Sequence, residues 1–197
     1  MPERLAVHGG TPVCTGGWPS WPVIRPGARR ALLDAFDSGH WTISAPEGGE
    51  LEPAFGRAFA DYCGAPVGVA TANGSAALAV ALAAAGVGAG DEVLVPAISW
   101  VACAAIVVSL GAVPVLVDVE PNDLCMSRSA AEAACGPRTS AVVLVHQNCW
   151  IADVQGFTEL TRRRGLALVE DGSHAHGARR QGHRVGTFGS TAGFSLQ

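Results

Sequence analysis

From Val67 onward the apolar positions fall into short runs separated by stretches of helical length. The runs Val67–Thr71, Glu92–Val95, Val115–Val119, Ala141–His146 and Leu166–Val169 read as strands, and Ala192–Leu196 is the last apolar run. Between them, Ser75–Ala85 reads as an Ala-rich helix closed by Gly86, and Ser99–Leu110 as a helix closed by Gly111. Ser127 is expected to cap a helix that runs to about Cys135, and Gln155–Arg164 is a helix with Gly165 at its end. Fully apolar strands alternating with helices predict an α/β fold: a mainly parallel sheet with both faces covered.

The first part of the chain lacks this alternation. Gly9-Gly10-Thr11-Pro12 and Trp18-Pro19-Ser20-Trp21-Pro22 favour extended or turn backbone, because each proline fixes its own φ and restricts the residue before it. Pro26–Phe36 opens a first helix, ended by Ser38-Gly39-His40-Trp41. In Glu50–Tyr62 the residues Leu51, Phe55, Phe59 and Tyr62 recur at helical spacing, and core packing explains those aromatics. The expected organisation is a helical and irregular segment, residues 1–66, followed by the sheet domain, residues 67–197. No internal repeat, linker or low-complexity tail interrupts it.

Composition narrows the function. Only 15% of the 197 residues are charged, and the formal charge of −4 offers no basic surface for nucleic acid. The uncharged stretch Val93–Val117 is long enough to cross a bilayer, but Pro96 and Pro114 break it, and no basic residue lies between Arg57 and Arg128 to flank it. Strand, helix, strand is the better reading, with no membrane partner. Met1–Gly10 has no apolar signal core, and the six cysteines form no metal-ligand spacing, so a reduced, cytoplasmic protein is expected. All thirteen basic residues are arginine; without lysine, no side-chain amine in this chain can form a Schiff base.

Candidate chemistry gathers at strand ends. Asn73-Gly74-Ser75 precedes a helix whose bare N–H groups and dipole would hold a phosphate, with Ser75 able to cap the helix; capping alone also explains the turn. Trp100 follows the second strand, where an indole can stack on an aromatic cofactor or plug the core. His146 ends the fourth strand and reads as a satisfied buried histidine. Asp171 follows Leu166–Val169, with His174 three residues on, and Ser195 lies in the last apolar run, where a phosphate or a backbone carbonyl would satisfy its hydroxyl. Phosphate turn, stacking ring and strand-end carboxylate together suit pyridoxal 5′-phosphate (PLP). They suit NAD poorly, because no G-x-G-x-x-G follows the first strand.

The order of these stretches resembles the DegT/StrS family of PLP-dependent sugar and cyclitol aminotransferases, of aspartate-aminotransferase fold type I. The matching segments are Ala72–Leu78, Gly88–Pro96, Gly111–Val119, Glu170–Gly177 and Phe194-Ser195, and the Gly9–Val13 and Trp18–Pro22 stretches look like members acting on cyclitols or aminohydroxybenzoate precursors in antibiotic pathways. The resemblance implies that Gly74, Ser75 and Ser195 hold the cofactor phosphate, Trp100 stacks on the pyridine ring, Asp171 keeps the ring nitrogen protonated, and His174 stands near the phenolic oxygen. It implies two half-reactions, an amino donor such as glutamine and then a keto sugar or cyclitol, and a homodimer for a full-length form. Gln147–Ile151 departs from the family pattern on the substrate side. The family's lysine would fall beyond Gln197. The expectation is therefore an incomplete large domain without the small C-terminal domain, with no catalytic residue of its own, binding PLP non-covalently at best and inactive alone. The alternative is a non-catalytic half-domain scaffold pairing with a full-length homologue.

Overall fold

The computed structural model describes residues 4–17, 20–41 and 49–196. Trp18, Pro19 and Gln197, named in the sequence reading, lie outside the described residues. The chain divides into two compact units, Met1–Gly49 and Glu50–Gln197. The helix at Leu51–Cys63, grouped by sequence with residues 1–66, thus falls in the same unit as the sheet.

In the first unit, helix α1 (Ala28–Ser38) stops where Gly39 takes a left-handed conformation. The Trp41 ring then turns back on Phe36 at 5.5 Å, and its Nε1 donates to the Phe36 carbonyl at 3.3 Å.

The second unit starts with α2 (Leu51–Cys63) and α3 (Gly74–Ala84). It continues β1 (Glu92–Pro96), α4 (Ala102–Ser109), β2 (Val113–Val117), α5 (Arg128–Ala134), β3 (Thr139–Val145), α6 (Val154–Arg164) and β4 (Ala167–Asp171). A small hairpin, β5 (Arg179–Arg180) and β6 (His183–Arg184), leads to β7 (Thr191–Gly193). The strands form a parallel sheet in the order β2-β1-β3-β4-β7. Alternation along each strand builds two cores. Val93, Val95, Ala141, Val143, Val145 and Val169 face α3 and α4 on one side. Leu94, Val142, Leu144 and Leu168 meet Met126, Phe157 and Leu160 on the other. Burial on both faces is why these strands are apolar throughout.

The uncharged stretch Val93–Val117 is β1, α4 and β2, and no helix among the described residues is long and apolar enough to cross a membrane.

Four expectations change. Val67–Thr71 is not a strand: Val67 and Val69 are each 74% exposed and make no ladder. A ladder needs a neighbour about 4.8 Å away. Instead, a cavity of about 840 Å³ lined by Val67, Val69, Ala77, Val80 and Ala192 lies against this segment. Ser75 does not cap α3; Asn73 does, its side chain accepting from the Ala76 N–H at 2.9 Å. Ser127 occupies the cap position of α5, but its hydroxyl pairs with that of Ser129 at 3.1 Å instead of an amide. Helix α4 starts at Ala102, which leaves Ser99–Val101 as a turn. The β5–β6 hairpin was not anticipated. Its turn residues Gln181 and Gly182 have φ of 50° and 86°, the geometry that two-residue hairpins favour.

Candidate active site

In a parallel sheet every strand delivers its carboxyl end to the same edge, so residues distant in sequence collect there. Asp171 closes β4, and its Cα partner across the ladder is Gly193 of β7. Two residues past Gly193, Ser195 reaches the start of α3. A β-carbon built on Gly74 would lie 2.5 Å from the Ser195 Cβ, so only glycine lets these backbones approach. The strand itself leans on α3: Thr191 Oγ1 donates to the Ala81 carbonyl at 3.1 Å, and a side chain on Gly193 would press on Leu78.

Aromatic packing holds the segment carrying Ser195. The Phe194 ring fills the space a β-carbon on Gly172 or Gly186 would take. It also packs edge-on to Phe59 of α2 at 5.1 Å. The glycine after Asp171 therefore makes room for the residue before Ser195.

At the start of α3, Asn73 uses its side chain on the Ala76 N–H, and the Asn73 carbonyl takes the Ala77 N–H. The N–H groups of Gly74 and Ser75 lie in the first turn, where no intrahelical acceptor exists. Ser195 stands against this turn, its Oγ 3.1 Å from where a Gly74 β-carbon would lie. Backbone N–H groups and a hydroxyl are a donor set that fits a phosphate, and the missing β-carbon at Gly74 is what lets Ser195 come so near.

The Asp171 carboxylate is held at both oxygens. Oδ1 accepts from the Ser173 N–H at 3.0 Å, and Oδ2 accepts from the Cys103 thiol at 3.4 Å. Cys103 is in the first turn of α4, and its own N–H donates to the Trp100 carbonyl at 3.1 Å. The turn that bears Trp100 is thus one residue's span from Asp171. Trp100 is 72% exposed, which rules out the core-plug role and leaves the indole face available for stacking. On the other flank, His174 is exposed and its Nδ1 accepts the Asn148 N–H at 3.3 Å, so Nε2 carries the ring proton of the neutral form.

Two residues that sequence reasoning did not single out organise the site. Glu170, fully buried beside Asp171, accepts from the N–H groups of Gly186, Phe188 and Gly189 at 2.7–2.9 Å. The remaining partner is His146: Nε2 donates to Glu170 at 3.1 Å while Nδ1 accepts from the Ala152 N–H at 3.2 Å. His146 is thus a satisfied buried histidine that does not reach the cleft. The second is Cys103. Its only sequence signal was a cysteine three residues after Trp100.

The Gly74–Ser195 cradle, the Asp171 carboxylate and the Trp100 turn occupy one edge of one sheet. Their chemistry fits what a phosphorylated aromatic cofactor needs. Comparison with known proteins agrees in fold and in sequence. The chain is 48% identical to an L-glutamine:2-deoxy-scyllo-inosose aminotransferase of Streptomyces fradiae, over all of this chain and 47% of that protein. It is 46% identical to an L-glutamine:scyllo-inosose aminotransferase of Streptomyces griseus, with the same coverage. The crystal structure of 3-amino-5-hydroxybenzoic acid (AHBA) synthase superposes with a TM-score of 0.86 at 38% identity, covering 92% of this chain and 46% of that one. A Streptococcus pneumoniae protein described as a sugar aminotransferase, in its PLP form, superposes with a TM-score of 0.80 at 25% identity, over 89% and 47% of the two chains. The chain spans about half the length of the curated relatives it matches. Residues 24–197 match one family throughout, and with the sheet order and strand-end chemistry above this establishes that the chain belongs to the DegT/DnrJ/EryC1/StrS aminotransferase family.

Proposed function

We propose that these residues form the cofactor-binding portion of a PLP-dependent aminotransferase that aminates a keto cyclitol, with glutamine as donor, in antibiotic biosynthesis. The observation that carries the reading is the convergence of the α3 N-terminus, Ser195, Asp171 and the Trp100 turn at the carboxyl edge of one sheet. The cyclitol and glutamine assignment draws on the relatives, which are glutamine-dependent aminotransferases of scyllo-inosose and its 2-deoxy form.

Each residue then has a physical role. The amides of Gly74 and Ser75, with the Ser75 and Ser195 hydroxyls, hold the phosphate. Trp100 covers one face of the ring. The Asp171 carboxylate keeps a proton on the ring nitrogen, and His174 offers Nε2–H toward the phenolic oxygen side. PLP, when bound, supplies the electron sink that carries an amino group between donor and acceptor. The 197 residues contain no lysine, so an anchoring amine has to come from outside them. These residues alone are inactive on that account.

Pyridoxamine 5′-phosphate tests this reading because it needs no lysine to bind. Fluorescence titration should give saturable binding that Asp171→Ala and Gly74→Ala each abolish, with no aminocyclitol formed beyond one equivalent of cofactor. Binding unaffected by both substitutions, or repeated turnover by these residues alone, would overturn it.

A further inference from the structure

Asp171 is joined through Cys103 to Ser99, whose hydroxyl lies 3.2 Å from the Cys103 sulfur. Cys103 is 2% exposed and packed in the core between the sheet and α4. A cysteine in such a core ordinarily acts as a small apolar filler. Here the sulfur sits between a hydroxyl on its own turn and a carboxylate 68 residues away in sequence.

The bonding sense follows from what each group can do. A carboxylate only accepts, so the thiol donates to Asp171 Oδ2 and the Ser99 hydroxyl is the group left to donate to sulfur. Burial pushes the Cys103 thiol up to about 12, with the Asp171 charge adding to the effect, so the S–H proton stays in place across the physiological range. Asp171 therefore receives a weak neutral donor at Oδ2 and a backbone N–H at Oδ1. The turn leading into α4 carries Trp100, whose carbonyl receives the Cys103 amide.

The geometry points to Cys103 as a positioning residue: with Ser99 it fixes the Asp171 carboxylate relative to the Trp100 indole, so that the ring-nitrogen partner and the stacking face are set as one unit. This rests on the cofactor reading above and deepens it. A lysine or arginine at that place would neutralise Asp171, and an aliphatic residue would leave one oxygen free to rotate. A thiol does neither.

The test compares Cys103→Ser, which keeps a donor, with Cys103→Val, which keeps the packing and removes it. In the chain without ligand, the infrared S–H stretch of Cys103 is identified as the band missing in Cys103→Ser. Asp171→Asn should move that band, because the carboxylate acceptor becomes a neutral amide. With ¹⁵N-labelled pyridoxamine 5′-phosphate, Cys103→Val should weaken binding about tenfold, the scale of one lost hydrogen bond. It should also shift the ring ¹⁵N resonance toward the unprotonated position, while Cys103→Ser retains both wild-type values. If Cys103→Val fails to fold by circular dichroism, Cys103→Ala takes its place. A Cys103 band indifferent to Asp171→Asn, or a donor-free variant with wild-type affinity and ¹⁵N shift, would overturn the proposal alone. No ligand binding by the wild-type chain would overturn the cofactor reading, and this proposal with it.

Discussion

At the residue scale, neighbouring acids do opposite jobs. Glu170 is sealed among four hydrogen-bond donors, and Asp171 opens to the sheet edge. Truncating Glu170 to alanine strands three amides and His146 in the interior, which should cost roughly 3–5 kcal/mol. Urea unfolding should show it, with Glu170→Gln less affected because its amide keeps one accepting oxygen. A loss below ~1 kcal/mol for Glu170→Ala would mean water replaces the carboxylate there. Gly74→Ala acts differently. Its new methyl meets the Ser195 side chain and backbone, so the segment after β7 must move, at a cost of about 1–3 kcal/mol in thermal unfolding. A variant with unchanged melting would show that this approach is looser than 2.5 Å.

At the scale of elements, the alternating pattern was legible because the two-sided sheet makes every strand apolar, and that signal is local. Glu92–Val95, Ala141–His146 and Leu166–Val169 each correspond to a strand to within a few residues. Val67–Thr71 carries the same signal without becoming one, since apolar residues state that a segment suits a ladder and not that a partner is beside it. Caps depend on one side chain's rotamer, which is why the sequence pointed to Ser75 while Asn73 holds the position. The two give a direct comparison: Asn73→Ala should lose about 1 kcal/mol of stability and Ser75→Ala almost none. Equal losses in chemical denaturation would return the cap to Ser75. The candidate site was half legible. Residues at strand ends, such as Asp171 and Trp100, follow from parallel topology, whereas Cys103 and Glu170 act through tertiary contacts that leave no periodic trace.

At the scale of the whole molecule, the buried thiols set a stability limit at alkaline pH. Burial raises Cys63, Cys103, Cys125 and Cys135 above the ordinary 9.0, Cys103 to about 12. The unfolded chain releases these protons near pH 9 while the folded chain still holds them. Stability is then intact below pH 9 and falls from there until the folded thiols ionise, near pH 12 for Cys103, whose share is up to ~1.4 kcal/mol per pH unit. Melting temperatures from pH 8 to 11 should decline, and Cys103→Ser should flatten the decline. A profile as steep in Cys103→Ser as in the wild type would remove this thiol from the account.

The β4 ladder fixes more than strand pairing. Leu144 stands across from Glu170, and Val145 from Asp171. Because side chains alternate, a single-residue slip of β4 would swap the two acids, driving the solvent-side charge into the Phe157 layer and withdrawing the interior one from its ring of amides. The misaligned form is therefore penalised twice, once for each misplaced charge. The acid at the sheet edge and the acid sealed behind it thus together proofread the alignment of the sheet that carries them.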